Sequence, residues 1–505
     1  MPMSIAKITT RDIKQCHPIM GGAYATDFYY TQLANKLMKR FSRLRVDLGP
    51  SASNIIRYAS LLVANYMEDV VSDSGVWRSF SEMCRKFYGY DVPMFHHDDE
   101  YAADEPSMSA VRYLIWHAAN EMDDFWWYSD QSDLLLMAET AYELLDDEFE
   151  KAPINTQLVS DIDLMLNESA SNFHKMRSAL MWVYSRCYLT RCADAEETLD
   201  RRLSESAEQD FMKHDESMQF YSAYTFCVFA YKTGPLAVYP KDYLEQLMRT
   251  RSMNDVADNV ATIEMIPYGL FRYKTSFLGK DLLLERTNGR KITVARDEIT
   301  LPDEQLKQYN AFMASFVWYQ SAWNLNGILS PFNIHGADEW KRMRDNDPEN
   351  LPENTRTAGA DYFINRADGR QLLFFDDKED VRKFMQQRLG FGAHLLSFLD
   401  ELSDGPLMMF FDKTEPKNVL QFSHGCLECV ADKNNRFYNS ESAQVDAPIL
   451  WWNEECASTG LMNYLIDHSL VPDVYKTPFF IPENTQQEKE NDARFLLRYI
   501  RKMKY

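Results

Sequence analysis

The residues whose types and spacing best suit chemistry fall in the last third of the chain. His424-Gly-Cys426-Leu-Glu-Cys429 sets two thiols three positions apart, with an imidazole two positions upstream. A Cys-x-x-Cys step lets two thiolates share one tetrahedral ion, and His424 or Cys456 would complete a zinc set. Structural zinc sites usually show a second tight pair, which is missing here. The Pro before the first Cys and the upstream His-x-Glu of a zinc deaminase are missing too. A redox role would need the motif to open a helix after a strand. Packed, reduced cysteines are the plainer reading.

A second constellation is Asp361 with Asp376-Asp377-Lys378. An acid at one end of a hairpin and Asp-x-Lys at the other is the layout of a metal-dependent nuclease. There the carboxylates hold magnesium and the lysine orients the attacking water. The competing reading is structural, because Asp376 and Glu379 also suit the start of a helix, where the dipole favours acids. A third cluster, His96-His97-Asp98-Asp99-Glu100, offers five adjacent metal-binding side chains. Neighbours in sequence rarely converge on one ion, so a solvated loop is expected. Trp126-Trp127, Trp318, Trp323 and Trp451-Trp452 suit core packing, or a groove or partner surface.

Other catalytic signatures are absent. The sequence has no Gly-x4-Gly-Lys-Ser/Thr phosphate loop, no His-Glu-x-x-His, no Glu-x-x-His and no Gly-x-Ser-x-Gly elbow. Gly390-Phe-Gly392 lacks the third glycine of a dinucleotide loop. The expectation is therefore a non-enzymatic binding or adaptor protein. The alternatives are a metal-dependent nuclease or hydrolase using Asp361, Asp376 and Lys378, or a fold stabilised by zinc through His424, Cys426 and Cys429. Zinc apart, no cofactor is expected.

Composition narrows the partners. The 505 residues carry 54 Lys plus Arg against 76 Asp plus Glu, a formal net charge of −22. Such a chain is repelled by phosphate backbones and anionic lipid, so nucleic acid is disfavoured and a protein partner is expected. The densest basic stretch, Lys36 to Arg45, has the spacing of a solvated helix face. No apolar run is long enough to span a bilayer, and the first twenty residues have no uninterrupted apolar core. Eight scattered cysteines then suit reduced thiols in the cytoplasm.

The elements that must position these residues change character along the chain. From about residue 25 to 262 the apolar spacing is helical. Ser53–Val71 would bury Ile56, Ser60, Val63 and Met67, with Ser53 as N-cap. Ser107–Trp127 would bury Val111, Leu114, Ile115 and Ala118. Near Ile263 the period becomes two. Tyr268–Lys274, Leu282–Thr287, Lys291–Ala295, Phe312–Tyr319 and Trp323–Leu329 read as strands, with Gly279 and Asn288-Gly289 as turns. Five short strands can close into a small SH3-like or OB-like barrel. Residues 335–358 read as an exposed connection. Beyond them, Asp361–Asn365 and Gln371–Phe375 flank Asp368-Gly369 as a second hairpin. Lys378–Leu402 reads as one helix, Leu407–Phe411 and Val419–Phe422 as strands, and three helices close the chain. The expected fold is α+β, mainly α. It has a helical domain over 1–262, a small β-barrel-like module over 263–334 and a mixed domain over 335–505.

This order of features resembles a family of bacterial proteins known only as a domain of unknown function. The resemblance rests on Tyr66-Met-Glu-Asp-Val-Val-Ser-Asp, Trp77-Arg-Ser-Phe, Lys86-Phe-Tyr-Gly and Val111-Arg-Tyr-Leu-Ile-Trp-His. It extends through Ile266-Pro-Tyr-Gly-Leu to Ile292, Phe316-Val-Trp-Tyr, Trp323-Asn-Leu-Asn-Gly and Asn435-Arg-Phe-Tyr-Asn. It implies a bacterial cytoplasmic protein and brings no catalytic residues with it.

Overall fold

The apolar stripe of residues 53–71 forms a 21-residue helix, Ala52–Ser72, and Ile56, Ser60, Val63 and Met67 are all buried. Its cap differs from the expectation. Ser51 is the N-cap residue and makes no side-chain cap bond, while Asp73 ends the helix in the left-handed region at φ 54°. The computed structural model describes residues 5–18, 22–96, 102–207, 216–275, 281–299, 301–345, 359–414 and 418–502. The chain divides into two units, Met1–Asn350 and Leu351–Tyr505.

The first unit begins with helices α1 (Thr10–Lys14), α2 (Asp27–Phe41), α3 (Ala52–Ser72), α4 (Val76–Tyr88), α5 (Met108–Met122) and α6 (Ser132–Phe149). It continues with α7 (Thr156–Ser169), α8 (Phe173–Ser185), α9 (Ala193–Ala207), α10 (Glu216–Ala230), α11 (Pro240–Thr250) and α12 (Asn254–Ala261). Ser107 caps α5 by accepting the Ala110 N–H at 3.2 Å, and Val111, Leu114, Ile115 and Ala118 are fully buried. Among the described residues no helix is long and apolar enough to cross a membrane.

The switch of period near Ile263 is real. Strands β1 (Glu264–Thr275), β2 (Asp281–Arg286), β3 (Lys291–Ala295), β4 (Ala311–Tyr319) and β5 (Ala322–Phe332) form an antiparallel sheet in the order β3-β2-β1-β4-β5. Residues 287–289 turn β2 into β3, with Gly289 alone in the left-handed region at φ 85°. Alternate residues point inward, so Phe271, Leu282, Leu284, Ile292, Val294, Phe312 and Phe316 share one core. The sheet curls into a half-barrel: β3 and β5 approach each other without pairing. The helical layer beside it is tied on by Tyr319 OH donating to Ser169 O at 2.6 Å. Asn326 Nδ2 likewise donates to Thr225 O at 3.0 Å. A short helix α13 (Asp303–Gln308) precedes β4. Part of the expected exposed connection is instead helix α14 (Ala337–Asp345), with Trp340 buried against Leu270 and Ala311. Gly279 and residues 346–358 lie outside the described residues.

In the second unit two expectations need correction. Asp361–Asn365 is not a strand but part of helix α15 (Ala360–Arg366). Asp368 and Gly369 do take positive φ, 57° and 78°, but they close that helix, with Gly369 N–H donating to Ile364 O at 2.9 Å. The left-handed turn thus serves a helix C-cap of the 6→1 type. The following strand, β6 (Leu372–Phe375), finds its partner far away in β7 (Leu407–Phe411), and β7 pairs with β8 (Leu420–Ser423). Lys378–Leu402 is not one helix either. Helix α16 (Lys378–Phe384) widens into a π-turn over Met385–Leu389, stops at Gly390 with φ 80°, and gives way to 3-10 turns. Three helices close the unit: α17 (Ser440–Trp452), α18 (Thr459–Asp467) and α19 (Gln486–Ile500).

Candidate functional site

The three residues of the expected hydrolytic site have separate partners. Asp361, in the first turn of α15, is exposed and ion-paired with Lys413 at 3.0 Å. Asp376 pairs with Arg436. Lys378 Nζ meets Asp404 at 2.8 Å and the Leu402 carbonyl at 3.2 Å. The helix-start reading holds one position along: Asp377, not Asp376, caps α16, accepting the N–H groups of Glu379 and Asp380 at 2.9 Å each.

The thiols do gather. Cys426 hydrogen-bonds to both Cys429 and Cys456, so the third cysteine comes from 27 residues beyond the Cys-x-x-Cys pair. The hydrogen bond with Cys429 and then burial push the Cys426 thiol far up, so it stays protonated. Cys426 takes φ 58° at the start of a 3-10 turn, and a Cβ on Gly425 would collide with the Cys456 sulfur. His424 turns Nδ1 toward the Pro406 carbonyl at 3.2 Å, and its buried Nε2 has no partner. Among the described residues no three His, Cys, Asp or Glu side chains are arranged to hold a metal ion. His96 stacks on Tyr90 at 4.0 Å, and the rest of its acidic run lies outside the described residues.

The feature of the second unit that most resembles a working surface is α17. Its inward residues Ala443, Leu450 and Trp451 are fully buried, with Trp451 packed against Phe479 and Phe480 at ring separations of 5.8 and 6.0 Å. Its outward residues Val445, Ile449 and Trp452 are 76%, 44% and 47% exposed. Their spacing of four and then three puts them on one face. The helix is clamped at both ends. At its start, Asn439 Oδ1 accepts the N–H groups of Glu441 and Ser442 at 2.9 and 3.2 Å, and Ser440 donates to the buried Asp473 at 2.7 Å. At its end, the buried Arg501 guanidinium caps the free carbonyls of Leu450 and Trp451. Exposed apolar side chains on a fixed helix form a preorganised surface, and covering their remaining apolar area would contribute about 25 cal/mol per Å² before the costs of association.

Residues 7–267 and 337–502 match the family described as "Protein of unknown function (DUF3843)". The chain belongs to this family. No curated protein and no solved structure matches it. The DUF3843 match covers α17 and both of its clamps, and breaks over 268–336, where β2 to β5 lie. The β-module segments Phe316-Val-Trp-Tyr and Trp323-Asn-Leu-Asn-Gly therefore fall outside the matched DUF3843 residues, whereas the helical motifs from Tyr66 to His117 fall within them.

Within this DUF3843 chain the outward residues Val445 and Ile449 carry no signal that sequence reading singles out. The helix is apolar on its inner and outer faces alike, so no polar side marks which residues face solvent. Trp451-Trp452 was the one legible hint, and the fold splits it: Trp451 is core and Trp452 is surface.

Proposed function

We propose that this chain is a non-enzymatic binding protein of the cytoplasm, an adaptor that docks one protein partner on the outer face of α17. The observation that carries the reading is the set of Val445, Ile449 and Trp452, presented on a helix fixed at both ends. A helix laid into an apolar groove is a common mode of protein recognition, read through anchors spaced three and four residues apart. Glu441 and Glu455 are exposed near either end of the face, and the chain as a whole carries −22. The partner's groove is therefore apolar with a basic rim. Eight free thiols suit a reducing compartment. The curled five-stranded sheet adds support by analogy, since small SH3-like and OB-like barrels often serve as platforms. The separate ion pairs of Asp361, Asp376 and Lys378 favour binding over hydrolysis.

A photoreactive phenylalanine at position 445, introduced into the full chain in its native host, tests this. A discrete adduct with a second protein is expected, and it should disappear on Ile449→Glu while the circular dichroism stays unchanged. Lack of an adduct, an adduct insensitive to Ile449→Glu, or cross-linking only to lipid or to a second copy of this chain would overturn the reading.

A further inference from the structure

A cleft of about 280 Å³ opens in the first unit, bounded by α3, the ends of α1 and α5, and the start of α9. One wall is a single face of α3, where Asn54, Arg57, Tyr58 and Leu61 follow helical spacing. Arg57 Nη2 donates to Asp12 at 2.7 Å, but its Nε is buried and has no partner. On the other side Arg191 donates from Nε to Glu196 at 2.7 Å. The first N–H of α9, that of Ala193, is taken by Glu121 at 3.1 Å. Burial, then the nearby Glu121 charge, push the Tyr58 phenol up, so it remains an O–H donor. Leu61 and Met122 add an apolar patch.

The lining thus offers two guanidiniums and three carboxylates. A simple anion would meet an excess of negative charge. A simple cation would face the two guanidiniums of Arg57 and Arg191. A molecule carrying both charges answers both demands. The volume lies below the roughly 300–1,000 Å³ of drug-sized ligand sites, so the molecule is small. We propose that this cleft binds a small zwitterion, a free amino acid or dipeptide, with its carboxylate toward Arg57 and Arg191 and its ammonium toward Glu121. This site is separate from the α17 face and does not depend on the adaptor reading.

The test is calorimetric titration of the full chain with L-leucine, L-glutamate, L-arginine and glycyl-leucine. N-acetyl-leucine, leucinamide and inorganic phosphate serve as controls. At least one zwitterion should bind one-to-one with a Kd of about 1 mM or tighter. Blocking either end should weaken it at least about tenfold, equivalent to 1.4 kcal/mol. Arg57→Met should weaken it similarly. Should Arg57→Met fail to fold, Leu61→Trp fills the cleft from a half-exposed position and should abolish binding with the circular dichroism unchanged. Absence of heat from every zwitterion, equal binding of the blocked forms, binding of phosphate alone, or unchanged binding in the Leu61→Trp variant would each overturn the proposal.

Discussion

Arg501 donates from Nε to the carbonyl oxygen of Trp451 at 2.9 Å, across 50 residues of chain. Its Nη groups reach the carbonyls of Leu450 and Ala457 at 2.6 and 2.7 Å. The last carbonyls of a helix have no partner within the helix, and here one buried cation supplies them. Arg501 thereby fixes the end of α17 and the direction in which Ile449 and Trp452 face.

Replacing Arg501 with Met keeps much of the side chain's bulk but strands three buried carbonyls. The expected cost is about 2–4 kcal/mol. Urea denaturation followed by tryptophan fluorescence would report it, since Trp451 lies beside the lost contacts. A change under about 0.5 kcal/mol, within the range of ordinary surface substitutions, would show that water satisfies these carbonyls equally well.

At the other end of α17, Asp473 accepts from Tyr438 at 2.6 Å, and from Ser440 and Lys476 at 2.7 Å each. Burial alone would raise its pKa, but the bonds from Lys476, Tyr438 and Ser440 outweigh it, and the carboxyl sits below its ordinary 3.8. The folded state therefore binds this proton less readily than the unfolded one. The resulting stability is fully present above about pH 4 and is lost as pH falls through the folded value. Asp473→Asn should lower stability at pH 7 and flatten this acid limb. An acid limb identical in both proteins would rule out the contribution.

Gly460 lies in the first turn of α18 with the buried Asp412 carboxylate against its Cα, where a Cβ would overlap both carboxyl oxygens. Asp412 cannot easily withdraw, because it also accepts from Thr414 N–H at 2.7 Å and from Gln421 at 2.8 Å. Alanine normally favours a helix over glycine, yet Gly460→Ala is expected to destabilise by about 1–3 kcal/mol through overpacking. A higher melting temperature in the variant would mean that propensity outweighs the clash.

Burial, followed by the neighbouring Cys426, raises the Cys456 thiol from 9.0 to about 11. Half-exposed but protonated, it should react with disulfide reagents at pH 8 far more slowly than in denatured protein, because only the thiolate attacks. Its rate should keep rising with pH toward about 11, and Cys426→Ser should speed it. Peptide mapping after timed labelling would decide the matter: fast labelling of Cys456 at pH 8 contradicts the assignment.

What the sequence determined by itself was local. The stripe Ile56, Ser60, Val63 and Met67 specified a helix and its buried face, because side chains three and four apart must share a side. Asn288-Gly289 specified a hairpin, because the alternating strands beside it had a turn that accepts positive φ. The same logic at Asp368-Gly369 predicted the torsions correctly and the element wrongly, since a left-handed pair closes helices as readily as hairpins. Whether β6 would find β7 at Leu407 was not encoded nearby. Cys426 and Cys429 were visible as a pair, with His424 and Cys456 as alternative third members, but that Cys456 meets them while His424 turns to the Pro406 carbonyl was not. The split of Trp451 from Trp452 and the reach of Arg501 to α17 were decided only when distant segments packed. Such contacts follow from closing long loops around a shared core, and no short window of residues carries that information.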